Sequence, residues 1–406
     1  MPWEVRPTRD LDEFKRAVGS IGHYFGGWPP DDESAQRFAG NLPFERMHAA
    51  FDGDRIVGGA GAFPFELTVP GGTVACGGVT VVGVLPTHRR RGILTAMMRA
   101  QLEDIRERGE PIAALWASEE IIYRRYGYGL ASLAGEIALS AGYRGLRFPP
   151  AQNTSARLVP LAEAKDVIAP MYDRVRLRTP GMLARTDTWW ETRTLTDPPD
   201  RRQGGGEKNC VVLELDGLPA GYALYRMFPK FEQGAAAGHA DVIEAVADGP
   251  SATAELWRLL LEMDWVATLK AYLLPIDHVL VHQLSYPRRM KMRVGDALWV
   301  RLVDVAAALS ARAYSGDGEV VLELDDAFLP ENTGAWRVAG GAAERTDTAA
   351  DLALPVGELA GPYLGGFTFT ELVHAGVVRE LRAGGAARAD SLFASGAPKP
   401  WCPEIF

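Results

Sequence analysis

The alternation of apolar and polar positions predicts strands and helices in turn over the first third of the chain. Apolar residues recur at helical spacing from Leu11 to Ile21 and from Gly92 to about Arg108. The stretches Ile56 to Val69 and Thr73 to Leu85 have the composition of strands, and Ile112 to Trp116 is a continuous apolar run typical of a buried strand. Together these elements predict a mixed sheet that is covered by helices.

Further strands are expected at the edges of this sheet. Residues 3 to 6 and Met47 to Phe51 predict two of them, and Ala131 to Leu139 predicts the strand that closes the sheet. Hairpin turns are predicted at Asp52-Gly53 and Gly71-Gly72. We therefore expect a mixed sheet of six or seven strands.

A similar layout returns after Pro149-Pro150, which marks a domain boundary. Its predicted elements are the strands Val211 to Leu215, Gly221 to Met227 and His239 to Ala247, the helix Ala252 to Met263 and the strand Ala267 to Leu274. This order of strand, helix and strand repeats that of the first region without its chemistry.

A third region begins near Asp296 and has an α+β pattern. Strands are predicted at Ala297 to Val303, Glu319 to Leu324 and Trp336 to Val338, and helices at about Val356 to Leu364, Thr368 to Leu381 and Ser391 to Ala394. The residues themselves give no sign of a lipid tunnel.

The junction between the Thr73 strand and the Gly92 helix is built for an anion. Arg89, Arg90 and Arg91 precede Gly92, which allows a ligand close to the backbone. The first amides of a helix have no partner inside the helix and carry partial positive charge, so they bind phosphate. The alternative is a solvated basic turn without a ligand.

At these residues the sequence resembles a known family. Arg89 to Leu94 after Val82-Gly83-Val84 resembles the acetyl-CoA loop of GNAT N-acetyltransferases. The run Val84 to Met98, with Ser118-Glu119 and Tyr123 to Gly129, resembles the Eis (enhanced intracellular survival) family specifically. Arg124 departs from the pattern, since a glycine is expected there.

The resemblance implies a fold of two GNAT-like mixed-sheet domains (α/β and α+β), followed by a sterol-carrier-protein-like α+β domain. The implied boundaries are 1–146 for the catalytic domain, 147–292 for a degenerate second GNAT-like domain and 293–406 for the C-terminal domain. In this family the terminal carboxylate enters the active site, and here it belongs to Phe406. The alternative is that the last residues fray, but Trp401, Ile405 and their neighbours have the composition of a docked segment.

The resemblance also assigns residues to acetyl-CoA. The cofactor-binding candidates are Val82, Gly83, Val84, Arg89, Arg90, Arg91, Gly92, Ile93, Leu94, Thr95, Ser118 and Glu119. The amides of Val82 and Val84 are expected to hold the pantetheine arm and to polarise the thioester carbonyl. No metal is expected.

Two groups are expected to be catalytic. Tyr123 is the candidate acid for the departing thiolate, and the carboxylate of Phe406 is the candidate base or orienting group for the amine. Tyr126 and Tyr128 are interpreted as packing residues. His88 is interpreted as a surface or loop-packing residue and not as a catalytic one. The cysteines have no neighbouring base in the sequence, so direct transfer is favoured over an acetyl-enzyme.

The net charge and the cysteines restrict the class of acceptor and the cellular location that the sequence predicts. The net charge of −9 at pH 7 argues against nucleic acid and favours cationic acceptors. Three separated cysteines, no signal peptide after Met1 and no apolar run long enough to cross a bilayer predict a cytoplasmic protein without a membrane span.

The sequence therefore predicts an acetyl-CoA-dependent N-acetyltransferase that acts on a primary amine of an aminoglycoside, a polyamine or a lysine side chain. A protein lysine acetyltransferase is one variant of this hypothesis. The alternative from another class is a non-catalytic acyl-CoA or lipid-binding protein. The resemblance implies a homohexamer built as a trimer of dimers. Aromatic residues near the N-terminus could wall an acceptor pocket or form core: His23, Tyr24, Phe25, Trp28, Phe38 and Phe44.

Overall fold

The computed structural model describes residues 3–27 and 29–406, and this part of the chain forms two compact units. The first unit contains the residues up to Ser132 together with Ala297–Ala397 and Ile405–Phe406. The second unit contains Leu133–Asp296 and Pro398–Glu404. Each unit is thus assembled from segments that lie far apart in the sequence.

The segment before Ser132 alternates strands and helices as predicted. Its strands are β1 (Glu4–Pro7), β2 (Met47–Asp52), β3 (Arg55–Val69), β4 (Gly72–Val84), β5 (Ile112–Trp116) and β6 (Gly129–Leu130). Its helices are α1 (Leu11–Gly22), α2 (Asp32–Ala39), α3 (Ile93–Glu107) and α4 (Glu120–Tyr123). Asp10 and Asp31 begin α1 and α2, because their carboxylates accept hydrogen bonds from the backbone N–H groups of Glu13 (2.9 Å) and Ser34 (2.8 Å).

The middle segment contains nine strands and four helices among its described residues. The strands are β7 (Leu133–Ser140), β8 (Thr154–Val159), β9 (Lys208–Leu215), β10 (Leu218–Phe228), β11 (Phe231–Glu232), β12 (Ala235–Ala236), β13 (His239–Ala247), β14 (Thr268–Pro275) and β15 (Arg293–Asp296). The helices are α5 (Leu161–Arg176), α6 (Asp187–Trp189, continued by a π-helical turn over Trp190–Thr194), α7 (Pro250–Leu261) and α8 (Leu280–Gln283). The elements predicted between Val211 and Leu274 are confirmed.

The last segment is α+β, as its pattern indicates. Its strands are β16 (Leu298–Leu302), β17 (Glu319–Asp325), β18 (Gly334–Ala339), β19 (Ala342–Arg345), β20 (Leu352–Pro355) and β21 (Arg379–Glu380). Its helices are α9 (Val305–Ser310), α10 (Ala360–Leu364), α11 (Phe369–His374) and α12 (Gly385–Phe393). The helix predicted to run to Leu381 ends at His374, because Gly376 adopts φ = +76°.

The first unit is built on a seven-stranded sheet in the order β1-β2-β3-β4-β5-β16-β6. The prediction that Ala131 to Leu139 closes this sheet was wrong. The strand beside β5 is β16, whose Leu298 lies opposite Trp116 in antiparallel register, and Leu133–Ser140 is β7 of the other large sheet. All five residues of β16 are buried, so this strand completes the apolar core although it lies about 180 residues away in the chain.

The same unit carries a five-stranded sheet in the order β19-β18-β17-β20-β21. A fully buried ion pair lies inside this unit, where the guanidinium of Arg301 donates to the carboxylate of Asp326 (Nη2 to Oδ2, 2.6 Å). The amide of Asn332 donates to the same carboxylate oxygen (2.9 Å). These bonds supply the partners that a buried carboxylate requires.

The second unit has its own seven-stranded sheet, in the order β15-β7-β14-β13-β10-β9-β8. Buried clusters cover it on two sides: one includes Leu256 and Trp257 of α7, and the other includes Ile168 and Tyr172 of α5. The sequence pattern did not predict α5, because Pro170 interrupts it.

Candidate active site

The arginine side chains of the loop between β4 and α3 are exposed to solvent. Arg89, Arg90, Arg91 and Gly92 are all exposed, and Arg90 and Gly92 adopt positive φ values (+60° and +85°). A β-carbon at Gly92 would meet no atom within 4 Å, so the glycine is required by its backbone conformation and not by crowding. In the described part of the chain no side chain caps the helix that begins at Ile93, so its first amides can bind an anion.

Buried and aromatic side chains fix this loop. The indole N–H of Trp3 donates to the carbonyl of Arg91 (2.9 Å), and the Arg91 guanidinium lies over the Trp3 ring at 4.7 Å. His88 is buried, with Nε2 3.0 Å from Asp52 and Nδ1 2.8 Å from Thr87. His88 therefore packs the loop, which is one of the two non-catalytic positions expected for it, and it does not lie on the surface.

Behind the loop, β4 separates from β5. The two strands pair in parallel over Cys76–Gly78 and Ile112–Ala114 and no further. A bulge follows at Val81, which adopts φ = +46°, so the register against β3 shifts. From residue 79 onward β4 has β3 on one side and no strand on the other in the described part of the chain. Alternate amides of this stretch, which includes Val82, Gly83 and Val84, therefore face an opening.

The next residues along the chain follow β5, the strand from which β4 separates. Ser118 and Glu119 are exposed, and Glu119 immediately precedes α4. Thr95 in the first turn of α3 lies 3.4 Å from the hydroxyl of Tyr126 (Oγ1 to OH). The structure therefore brings the arginine loop and the tyrosine segment together.

The three tyrosines of this segment differ in what surrounds their hydroxyls. Tyr123 is buried, yet its hydroxyl forms no hydrogen bond among the described residues and is not enclosed. Burial raises its pKa to about 12, with Tyr126 and Glu119 contributing. Tyr126 packs against Phe328 (ring centroids 5.0 Å apart), and the enclosed hydroxyl of Tyr128 has no hydrogen-bond partner within residues 3–27 and 29–406. Of the three hydroxyls, that of Tyr123 is neither hydrogen-bonded among the described residues nor enclosed.

The terminal residue of the chain is docked. The Phe406 ring packs edge-on against Phe65 of β3, with centroids 4.9 Å apart. The Phe65 ring in turn covers Gly78, where a β-carbon would come within 2.2 Å of it. Gly78 is the last residue of β4 that pairs with β5. Phe406 therefore lies where the sheet begins to open.

An aromatic series that the sequence did not predict leads to this position. Successive ring contacts of 4.9 to 5.8 Å join Phe44, Phe14, Phe38, Phe63, Phe65 and Phe406. The spacing of Phe63 and Phe65, two residues apart on one strand and so on one face, was the available signal. Phe38 and Phe44 are half-buried, and both pack against the buried Phe14.

The other aromatic residues proposed for an acceptor pocket have different surroundings. Tyr24 and Phe25 are exposed, and the Tyr24 hydroxyl donates to the carbonyl of Val84 (2.5 Å) at the edge of the opening. His23 packs edge-on against Tyr24. Trp28 lies outside the described residues.

Two kinds of feature are absent from the described residues. No group of three or more His, Cys, Asp or Glu side chains is placed to hold a metal ion. Across residues 3–27 and 29–406, no helix combines the length and apolar character needed to cross a bilayer.

Comparisons with known proteins agree with this geometry. Residues 4–131 and residues 181–302 each match a family described as acetyltransferase (GNAT) domain, and residues 305–403 match the sterol carrier protein domain. N-acetyltransferase Eis of Mycobacterium tuberculosis is 33% identical over 358 residues, which cover 85% of each chain. The chain belongs to the Eis family of GNAT N-acetyltransferases.

Two further similar proteins span nearly the whole molecule. An uncharacterized N-acetyltransferase of Streptomyces avermitilis is 41% identical over 412 residues and covers all of both chains. The crystal structure of Eis1 from Mycobacterium abscessus has a TM-score of 0.87 at 33% identity and covers 99% of this chain and 100% of that one.

Membership of the Eis family confirms two predictions. The fold is that of two GNAT domains followed by a sterol-carrier-protein-like domain, and the protein is an acyltransferase. The alternative of a non-catalytic acyl-CoA or lipid-binding protein is therefore not supported. GNAT domains imply acetyl-CoA as the acetyl donor, and the exposed arginines, the uncapped α3 and the opening beside β4 fit it.

Proposed function

We propose that this Eis-family enzyme moves an acetyl group directly from acetyl-CoA to a primary amine of an aminoglycoside, a polyamine or a lysine-type acceptor. The observation that carries the proposal is the position of Phe406 at the point where β4 and β5 separate. A terminal carboxylate at that point is close to where an acetyl donor held along β4 would end.

The cofactor-binding residues have separate tasks in this proposal. Arg89, Arg90, Arg91 and the amides at Gly92, Ile93, Leu94 and Thr95 hold the pyrophosphate. Amides of the Val82, Gly83 and Val84 stretch hold the pantetheine arm, and one of them polarises the thioester carbonyl. Ser118 and Glu119 contact the cofactor from the end of β5. Acetyl-CoA supplies the activated acetyl group.

Tyr123 acts as the acid. With its pKa near 12, its hydroxyl stays protonated at neutral pH and can donate to the thiolate as it leaves. The absence of an internal partner among the described residues leaves this donor free for that use.

The Phe406 carboxylate acts on the acceptor. Its charge orients the ammonium group and, through water or directly, accepts the proton that the amine loses on attack. The packing of the Phe406 ring on Phe65 holds the carboxylate in place without using its oxygens.

The cysteines are unsuitable as nucleophiles. Cys76, Cys210 and Cys402 are all buried, and burial raises the pKa of the Cys210 thiol to about 11. A thiol that stays protonated is a poor nucleophile. Direct transfer in a ternary complex follows.

The acceptor class rests on charge. A net charge of −9 attracts cations, and polyamines, aminoglycosides and exposed lysines share primary ammonium groups. We further propose that the protein is cytoplasmic and forms a homohexamer, a trimer of dimers. Light scattering of the purified protein tests the number of subunits.

The experiment is to measure thiol release from acetyl-CoA with a panel that contains spermidine, an aminoglycoside and a lysine peptide. Acetylated products are then identified by mass spectrometry. The proposal expects turnover with at least one amine. Acetyl-CoA binding by calorimetry without turnover on any amine would contradict it.

A further inference from the structure

The second unit contains a strand pair that opens in the same way as β4 and β5. Strands β13 and β14 pair in parallel over His239–Val242 and Thr268–Ala271 and no further, although β13 continues to Ala247 and β14 to Pro275. Helix α7 follows β13 after only two residues, Asp248 and Gly249. No arginine loop fits into so short a junction, so this opening is not built for a nucleotide.

The C-terminal segment of the chain lies at this opening. The indole N–H of Trp401 donates to the carbonyl of Leu273 (2.5 Å), on the part of β14 that has separated from β13. Its backbone N–H donates to Pro180 (2.8 Å). Trp401 is buried in one cluster with Val246, on the separated part of β13. Gly181 (φ = +91°) lies so close that a β-carbon there would be 3.0 Å from the Trp401 carbonyl oxygen.

Three residues further along, Glu404 enters a buried charge network. Both Nε of Arg185 and the indole N–H of Trp189 donate to its carboxylate, one to each oxygen. Arg185 also donates to Glu244 (Nη1 to Oε1, 3.1 Å; Nη2 to Oε2). The Arg185 side chain is only 1% exposed.

Aromatic rings complete the surroundings of Arg185. Its guanidinium lies over the ring of Tyr172 at 3.9 Å and over that of Trp190 at 4.5 Å. Burial lowers the pKa of Arg185, but Glu244 and Glu404 raise it by more, so the guanidinium stays charged.

Such a network is poorly explained by stability alone. The free energy that is lost when two ions are removed from water is about as large as the free energy gained from their attraction. Proteins in which apolar residues replace a buried ion pair are often equally stable. What a buried ion pair does provide is a fixed geometry. The geometry fixed here is that of a carboxylate two residues before the chain terminus.

We propose that the opening between β13 and β14, together with Arg185, forms a dock for the chain's own C-terminal segment. The second GNAT domain thus serves as a receptor for Trp401 and Glu404. Arg185 is a positioning residue: through Glu404 it fixes the point from which Ile405 and Phe406 extend. This inference rests on the proposed function of the Phe406 carboxylate.

The test compares Glu404→Gln with the matched control Glu255→Gln in the full-length protein. Glu255 is also a buried carboxylate of the second unit, paired with Arg258 (3.2 Å), and it has no hydrogen bond to the C-terminal segment. Because Arg185 and Trp189 each donate to a different oxygen of Glu404, the NH₂ group of a glutamine placed there would face one of these two donors and leave it without an acceptor. Trp189→Phe, which removes one donor and adds no buried charge, is the second variant.

Two readouts are taken: release of Phe406 by carboxypeptidase, followed by mass spectrometry, and steady-state kinetics. For Glu404→Gln we expect release to quicken and kcat to fall, each about tenfold, because a charge-assisted hydrogen bond is worth at least that factor. The KM for acetyl-CoA stays unchanged. Trp189→Phe shifts both readouts in the same direction, and Glu255→Gln shifts neither.

Equal effects of Glu404→Gln and Glu255→Gln, or unchanged release in Glu404→Gln, overturn the dock. A chain that lacks Phe406 separates this from the proposed function. If that chain keeps full turnover while Glu404→Gln still speeds release, the proposed role of the carboxylate fails and the dock remains. If it loses turnover while Glu404→Gln changes neither readout, the dock fails and the role of the carboxylate remains.

Discussion

At the scale of single residues, the surroundings of a hydroxyl group distinguish the three tyrosines of the site better than their positions in the chain do. Tyr123, Tyr126 and Tyr128 lie within six residues and are all buried. The hydroxyl of Tyr126 is near Thr95, that of Tyr128 is enclosed, and that of Tyr123 remains available. The sequence favoured packing for the last two, and family resemblance singled out Tyr123. Hydroxyl environments depend on tertiary packing, which local pattern does not encode.

Replacing Tyr123 by phenylalanine tests its role as the acid. The ring keeps its packing against Tyr128, whereas the donor is lost. We expect kcat to fall about 100-fold, the usual contribution of a general acid, with the KM for acetyl-CoA unchanged. Tyr126→Phe is the matched control and should change kcat little. A Tyr123→Phe enzyme with normal kcat would exclude this residue as the acid.

A second residue-scale prediction concerns acid stability and His278. Burial lowers the pKa of His278 to about 4. Between about pH 6.5 and pH 4 the unfolded chain therefore binds a proton at this histidine, whereas the folded chain does not. Stability is therefore complete above about pH 6.5 and falls as the pH drops toward 4, by about 3 kcal/mol at the lower limit.

His278→Asn checks this linkage. Asparagine keeps an acceptor for the N–H of Leu280, which Nδ1 of His278 accepts at 3.1 Å, but it does not titrate. Urea unfolding at pH 7.5 and pH 5 should show a smaller loss for the variant than for the parent. Since burial also lowers the pKa of His48, a part of the loss should persist. Identical losses in both proteins would show that His278 does not contribute.

At the scale of elements, the local sequence pattern predicted those strands and helices whose formation depends on neighbouring residues in the chain. The strands, turns and helices of the first 130 residues follow from apolar periodicity, caps and glycines. The strand β16 could not be found in this way, because its place beside β5 depends on a pairing between distant segments. The separation of β4 from β5 likewise depends on pairing, and no residue type marks it, although Val81 takes a strained conformation there.

The arginine loop gives the prediction for this scale. In Arg90→Ala/Arg91→Ala the uncapped α3 remains, but two cations are lost from the anion site. We expect the KM for acetyl-CoA to rise at least about tenfold, with kcat at saturation nearly unchanged. The control Arg37→Ala/Arg55→Ala removes two exposed charges from the same unit outside the loop. Equal effects of both pairs would show that only net charge matters.

At the scale of the whole molecule, the last nine residues of the chain are divided between the two compact units. Residues 398–404 belong to one compact unit and residues 405–406 to the other. Composition indicated that the segment docks, but neither Phe65 nor Arg185 could be named as its partners from sequence. Both contacts join residues more than 200 positions apart, and only the fold brings them together.

In the mechanism that we propose, the charge of the last carboxylate takes part in the reaction. Cys402 allows a direct test, because native chemical ligation at that residue can supply the final five residues as a synthetic peptide. Two proteins are made identically, one ending in the Phe406 acid and one in the Phe406 amide, so that ring packing is the same in both.

The measurement is kcat of the two ligated proteins with saturating acetyl-CoA and the best amine of the panel. We expect the amide to turn over about 100-fold more slowly than the acid, with equal affinity for acetyl-CoA. Equal kcat values for the acid and the amide would contradict it.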